Sequence, residues 1–302
     1  MLGHDLTEEL NAGYRVIGMD MADSGPDKKR LVDFINCDIT DRRRVIRTML
    51  QTKPDLVIHL AAWTDVDGCE NDRDKAFTIN ADGTEHVALQ ALDQDVPLVY
   101  LSTDFVFNGK KSGLYRPADR PDPINVYGMS KLDGEKKVSV VDKYIIVRTS
   151  WLYGSNGKNF VDAIINKAKN RQDLRVVADQ RGTPTSSREL ARALRVLVDI
   201  LMNGKGPAGY FKKVYHVANS GVVSWHKFAC EIMRLLEPER ERDIREISSG
   251  ELNRPANRPA FSGLDSSLFC QDTGYSSVPW QTALKEYLDE KKQLFKLTQE
   301  SK

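Results

Sequence analysis

Leu56-Val57-Ile58-His59-Leu60-Ala61 and Pro97-Leu98-Val99-Tyr100-Leu101-Ser102 decide the fold. Each is a near-continuous apolar run of strand length, and a helical stretch over about 71–94 separates them. A strand that is apolar throughout is covered on both faces, as in a parallel sheet between helices. Working outward, Tyr14-Arg15-Val16-Ile17-Gly18-Met19 reads as an earlier strand between Gly13 and Asp20. Thr40 is placed to cap a helix whose face is Val45, Ile46, Met49 and Leu50, and Lys53-Pro54-Asp55 stops it. On the far side 125–142 is helical, and Tyr144-Ile145-Ile146-Val147-Arg148 is a further strand. Right-handed crossovers make this a doubly wound, Rossmann-like parallel α/β sheet. After residue 150 the rhythm loosens. Helices are expected over 158–170, 187–203, 223–236 and 281–297, strands over 174–178 and 213–217, and a loop at 254–259.

The chain has 302 residues, 40% hydrophobic and 29% charged, which excludes a disordered or fibrous protein. Lys plus Arg number 44 against 43 Asp plus Glu, so no bulk field draws it to nucleic acid or to an anionic membrane. No apolar run approaches the roughly 20 residues that span a bilayer, and the first residues lack a secretory pattern. Cys37, Cys69, Cys230 and Cys270 lie far apart, which suits neither a disulfide framework nor a zinc site. The five histidines are not clustered, so no metal constellation is expected. The expectation is a cytoplasmic protein.

Doubly wound nucleotide folds open with a buried strand running into a glycine-rich loop, whose backbone N–H groups approach a pyrophosphate. Here Met1-Leu2-Gly3 runs at once into a helix. Gly3 is either the last glycine of that loop or an ordinary helix entry. Met1 is accordingly expected to be an internal methionine of a longer natural chain. Weak cofactor binding and reduced stability are expected of the 302 residues by themselves, because the first strand is central in such sheets.

Tyr127-Gly128-Met129-Ser130-Lys131 opens a helix, and a spacing of four puts Tyr127 and Lys131 on one face. An ammonium beside a phenol favours phenolate and lowers its pKa from about 10, which would suit the pair to proton transfer with a carbonyl or alkoxide oxygen. The same spacing also describes an ordinary helix start with a solvated lysine. Thr103 and Asp104 close the strand ending at Ser102, at the rim where such sheets bind ligands; they are a substrate-facing pair or routine strand-end polar groups. Ala61-Ala62-Trp63-Thr64 ends the preceding strand at the same rim, leaving room for a flat ligand or for tight helix packing. Asp20 is placed for ribose hydroxyls or a turn, and Asp38-Ile39 for an adenine edge or a capping loop. His59 reads as a core residue.

These residues resemble the extended short-chain dehydrogenase/reductase family and, within it, the dTDP-4-dehydrorhamnose reductases. The resemblance rests on Ala61–Asp67, Ser102–Phe107, Asn125–Glu135, Arg148–Gly154, Asp179–Thr185 and Arg254-Pro255-x-x-Arg258-Pro259, in family order across nearly the whole chain. It implies hydride transfer from NADPH or NADH to C4 of dTDP-4-dehydro-L-rhamnose. Tyr127 would protonate the C4 alkoxide, Lys131 would hold the nicotinamide ribose, and Thr103 would orient the carbonyl. Asp104 and Trp151 would touch the sugar, while Asn159, Gln180, Arg254 and Arg258 would hold the nucleotide diphosphate end. Leu2, Gly3, Asp20, Asp38, Ile39, Ala62, Trp63, Thr64 and Leu101 would line the dinucleotide. The implied organisation is a dinucleotide-binding domain over 1–150 with a return near 187–218, and a substrate lobe made of 151–186 and 219–302.

Phe105 stands where the family often has Tyr, and Asp65 where it often has Ala. Asp20 favours tolerance of NADH, since a carboxylate there repels a 2′-phosphate. The alternatives are a reductase of another dTDP-4-keto sugar, or a non-catalytic regulatory subunit resembling the β subunit of methionine adenosyltransferase; the presence of Thr103, Tyr127 and Lys131 together favours an enzyme. A homodimer is the expected assembly, with no nucleic-acid or membrane partner.

Overall fold

The computed structural model describes residues 1–21, 33–170, 172–204, 209–237 and 243–300, with side chains to Lys292. α1 (Leu2–Asn11) forms because Leu2, Leu6 and Leu10 recur at a spacing of four and bury one stripe. β1 (Ile17–Asp20) begins three residues later than expected, because Gly13 and Tyr14 donate back to the Leu10 carbonyl in a turn. β2 (Asp33–Asn36) pairs with β1 in parallel. α2 (Arg42–Thr52) is capped by Asp41, which accepts from Arg43 and Arg44 N–H, and not by Thr40, whose hydroxyl donates to Asp38 instead.

β3 (Val57–His59) leads to the stretch expected as one helix, which is in fact several. α3 (Val66–Asn71) ends at Asp72, whose backbone leaves the helical region and whose side chain caps α4 (Arg73–Phe77) by accepting from Lys75 N–H. A π-helical turn (Thr78–Asp82) then passes into α5 (Gly83–Asp93). β4 (Leu98–Thr103), α6 (Val126–Val138) and β5 (Tyr144–Thr149) follow. Beyond these come β6 (Leu152–Tyr153), α7 (Phe160–Lys169), β7 (Leu174–Val177), β8 (Arg181–Gly182), β9 (Thr185–Ser186), α8 (Ser187–Met202) and β10 (Lys213–His216). The chain continues through β11 (Val223–Ser224), α9 (Trp225–Leu236), β12 (Ile244–Ile247), α10 (Ser267–Thr273) and α11 (Trp280–Glu300).

The main sheet has the order β10-β5-β4-β3, all parallel, with Thr103 opposite Thr149 at the carboxyl ends. The α/β class and parallel pairing therefore agree with the sequence. Among the described strands β1 and β2 form a parallel pair of their own, as do β7 with β12 and β6 with β9. On one face α1 packs on α8, joining Leu2, Leu6, Leu10, Leu190, Leu194 and Leu197 to Val99, Ile145 and Tyr215. On the other, α2, α5 and α6 bring Val45, Met49, Val87, Ala88 and Val138 onto Leu98, Tyr100 and Ile146. Each such fully buried aliphatic side chain contributes about 1.5–3 kcal/mol. A separate core gathers Tyr153, Val161, Ile164, Val176, Phe228 and Leu284 from β6, α7, β7, α9 and α11.

Candidate active site

β4 ends at Thr103, whose hydroxyl accepts from Phe105 N–H (3.2 Å) and caps the short turn 104–106. α6 begins alongside, capped by Asn125, which accepts from Gly128 N–H (2.8 Å) and donates to the Asn257 carbonyl (2.7 Å). Gly128 sets how close the two segments come: a Cβ there would lie 2.1 Å from the Phe105 carbonyl oxygen. Gly128→Ala is therefore expected to push α6 off the 104–107 turn, separating Tyr127 from Thr103. Turnover should fall at least roughly tenfold at a retained fold, by steady-state kinetics and circular dichroism.

Tyr127 is buried with its ring edge on Phe105, centroids 5.7 Å apart at 71°. Burial raises the phenol well above its ordinary pKa, while the Thr103 hydroxyl beside it acts the other way. One turn along α6, Lys131 Nζ donates to the Leu101 carbonyl (2.8 Å) and lies 4.1 Å above the Tyr100 ring. Burial pulls the ammonium itself down to about 7, and the carboxylate of Glu135, one turn further along α6, raises it. Glu135 is held by Arg148 Nε and Nη2 (2.8 and 2.7 Å) and by Ser102 Oγ (2.5 Å), all fully enclosed.

Behind Lys131, His59 stacks on Tyr100 (5.6 Å) and bonds Thr84 Oγ1 through Nε2 (3.0 Å). Burial, with the charge of Lys131, holds its pKa down at about 3. The unfolded chain takes up this proton below about 6.5 and the native one does not, so stability is lost as pH falls from about 6.5 toward 3. In urea titrations between pH 5 and 6.5, His59→Asn should flatten the loss by about 1.4 kcal/mol per pH unit.

The residues assigned to the dinucleotide divide by neighbourhood. Leu101 gives its carbonyl to Lys131, and Trp63 is locked by Asn80, which accepts from Trp63 N–H (2.7 Å) and donates to its carbonyl (3.0 Å). Ala62 is half-buried and Thr64 exposed at the same rim. A Cβ at Gly3 would lie 4.0 Å from the Leu60 side chain, so the start of α1 is near the end of β3; the Leu2 side chain goes into the core. Asp38 accepts from Thr40 N–H and Oγ1 (2.8 Å each) and Ile39 packs under Gly83, so these two belong to the loop before α2. Asp20 ends β1, exposed and in register with Asn36.

Of the substrate candidates, Asp104 is enclosed, with Oδ1 bonded to Thr103 (3.1 Å) and Oδ2 without a partner among the described residues. Burial pushes its carboxyl up to about 7. Trp151 adopts φ +47° and stacks face to face on Trp225 (3.5 Å, 4°), over Gly182, where a Cβ would strike its indole. Gln180 is buried next to this pair, its carbonyl accepting from Trp225 N–H. Asn159 caps α7, accepting from Asp162 N–H and donating to the Gly154 carbonyl. Arg258 is bidentate to Asp67 (3.0 and 2.8 Å), which ties the 254–259 loop to α3, while Arg254 stands exposed.

Sequence reasoning passed over Asn80, Glu135, Arg148 and Asp67 as actors. Glu135 had a signal, being four residues beyond Lys131; Asp67 and Asn80 act across the fold and had none. The enclosed Lys131 ammonium has three donors and spends one on Leu101, and Asp104 Oδ2 is unmatched. This set fits a ribose hydroxyl and a polar ligand at the rim.

Residues 1–293 match the model of the RmlD substrate binding domain family. The chain is 38% identical over 292 residues to the spore coat polysaccharide biosynthesis protein SpsK of Bacillus subtilis, covering 96% of this chain and 94% of that one. It is 35% identical to the dTDP-4-dehydrorhamnose reductase of Aggregatibacter actinomycetemcomitans, over 88% and 91% of the two. In three dimensions it is similar to the dTDP-4-dehydrorhamnose reductase of Bacillus anthracis in complex with NADP: TM-score 0.77, 33% identity, 91% of this chain and 98% of that one.

Proposed function

The chain belongs to the RmlD substrate binding domain family, and from that premise we propose that Tyr127, Lys131 and Thr103 carry its reaction at the β4–α6 rim. The protein is an NAD(P)H-dependent oxidoreductase that reduces the keto group of a dTDP-linked sugar. The substrate we infer is dTDP-4-dehydro-L-rhamnose, reduced at C4 to dTDP-L-rhamnose.

The cofactor, when bound, supplies the hydride to C4, and the carbonyl electron pair moves onto oxygen. A reductase needs its acid protonated at the start, and burial keeps the Tyr127 phenol so. The alkoxide is a much stronger base than a phenolate, so a phenol of raised pKa still gives up its proton. Thr103 acts from beside that phenol, donating to the same oxygen as charge develops. Lys131 supplies donors to a ribose from the Leu101 side of the site, an arrangement supported by its bond to that carbonyl. Asp104 Oδ2 is available to a sugar hydroxyl, Trp151 covers the ring, and Gln180, Arg254 and Arg258 serve the nucleotide diphosphate end. Asn159 takes part through the turn it caps.

The division into a dinucleotide domain over 1–150 with 187–218 and a lobe from 151–186 and 219–302 is supported by the separate core of Tyr153, Val161, Phe228 and Leu284. No helix among the described residues is long and apolar enough to cross a membrane. Four cysteines without a disulfide support a cytoplasmic setting, and a homodimer completes the reading.

The observation that carries this proposal is the close packing of α6 on the Phe105 turn over Gly128, which supports a shared rim for Thr103 and Tyr127. Its test is NAD(P)H oxidation with several dTDP-4-keto sugars, in which dTDP-4-dehydro-L-rhamnose should give the highest kcat/KM. No oxidation with any of them would refute it.

A further inference from the structure

The ring against which Trp151 rests has no part in the reaction as described. Trp151 lies two residues beyond Thr149, which pairs with Thr103 at the carboxyl ends of β5 and β4. Its backbone is tied on both sides: Ser150 Oγ donates to the Thr183 carbonyl (2.6 Å), and Thr185 N–H donates to the Trp151 carbonyl (3.2 Å). Its indole lies parallel to that of Trp225, centroids 3.5 Å apart at 4°. Trp225 opens α9 just after β11, which pairs with β8 so that Val223 stands opposite Gly182. Its N–H donates to the Gln180 carbonyl (3.4 Å), and Phe160, at the start of α7, packs on its ring (4.4 Å, 47°).

Three observations separate this stack from ordinary core packing. Both indoles are only partly buried, at the border of the closed core around Phe228. Trp151 holds φ +47°, a region that strains a bulky side chain and is kept where the surroundings over-determine it, commonly at ligand sites. A full face-to-face sandwich is less favoured than an offset or edge-on pair, so the framework imposes it. Gly182 makes the room, since a Cβ there would lie 2.5 Å from Trp151 Cε2.

We propose that Trp225 is a positioning residue whose ring fixes the Trp151 indole in one orientation toward the sugar of the substrate. It acts through Trp151 and touches neither sugar nor cofactor. The proposal deepens the assignment of Trp151 to the sugar and rests on it. Without the Trp225 ring, the ligand itself must order the indole, which weakens binding of the sugar and of nothing else.

The experiment measures dTDP-L-rhamnose and dTDP binding by calorimetry in the parent chain, Trp225→Leu, Trp151→Leu and the double variant. Trp225→Leu should weaken dTDP-L-rhamnose roughly 3–10-fold, the range for loss of an aromatic pair. Binding of dTDP, which lacks the sugar, should stay within about twofold. KM for dTDP-4-dehydro-L-rhamnose should rise by the same factor, with kcat within about twofold. The double variant should bind dTDP-L-rhamnose as Trp151→Leu does, because the one residue works through the other. In far-ultraviolet circular dichroism, the parent should show the exciton couplet of two parallel indoles, and each single variant should lose it.

Affinity for dTDP-L-rhamnose within about twofold of the parent in folded Trp225→Leu overturns the proposal. So do an equal fall for dTDP and dTDP-L-rhamnose, additive losses in the double variant, and a parent without the couplet. Trp225→Met, which fills the space without a flat face, decides instead if Trp225→Leu does not fold. Unchanged dTDP-L-rhamnose affinity in Trp151→Leu refutes the functional reading at Trp151, and this proposal with it.

Discussion

Replacing Tyr127 by Phe is expected to lower kcat by about 10²–10⁴-fold, the range for loss of a general acid, while cofactor affinity stays as it was. Phe keeps the ring-edge contact with Phe105 and gives up one hydroxyl, whose neighbour is Thr103. Little of the packing should change, and thermal unfolding should move by no more than a few degrees. Because burial holds the phenol protonated far into the alkaline range, loss of activity in the parent on raising pH to 9 should not trace to Tyr127. Stopped-flow single turnover with the reduced cofactor separates the chemical step from product release. A Tyr127→Phe enzyme that keeps most of its single-turnover rate would remove Tyr127 from its role.

Arg148→Ala is the substitution expected to cost most stability, about 3–5 kcal/mol, because it leaves the Glu135 carboxylate buried without its counter-ion. Arg148 and Glu135 bind through two short bonds in the interior, and Ser102 can satisfy only part of what remains. At roughly 2–4 °C per kcal/mol for domains a little smaller than this, the unfolding midpoint should fall by about 10 °C. The pair itself is a different matter, since two charges also cost desolvation. Arg148→Met with Glu135→Leu should therefore recover much of the loss, and the cycle of single and double variants should show coupling well above 1 kcal/mol. Coupling near zero would mean that the carboxylate is satisfied otherwise. The double variant also strips Lys131 of the carboxylate that raises its pKa, so its activity should begin to decline at lower pH than the parent's.

The strands and the Tyr127–Lys131 segment were legible because they are local. An unbroken apolar run needs no partner to be recognised, and helical spacing alone brings two side chains to one face. What was not legible depends on contacts across the chain. Lys131 bonds the Leu101 carbonyl over the Tyr100 ring because the sheet supplies both there, partners that helical spacing does not announce. The helical pattern over 71–94 hid a break at Asp72, where a side-chain cap outcompetes continuation, and a π turn that brings Asn80 to Trp63. Asp41 displaced Thr40 as a cap because Thr40 was engaged by Asp38. The bidentate bond of Arg258 to Asp67 of α3 joins residues far apart in sequence and was not legible either. Glycine at 128 was visible in the motif, but its reason, a carbonyl at 2.1 Å, belongs to the packed state.

The central claim is that hydride is delivered to C4 of the sugar at the rim where Thr103 and Tyr127 meet. Product formed from dTDP-4-dehydro-L-rhamnose with nicotinamide-4-deuterated cofactor, read by proton NMR, tests it most directly. The account predicts dTDP-L-rhamnose with deuterium at C4 and at no other ring carbon. A product carrying protium at C4, or deuterium elsewhere in the ring, would contradict it.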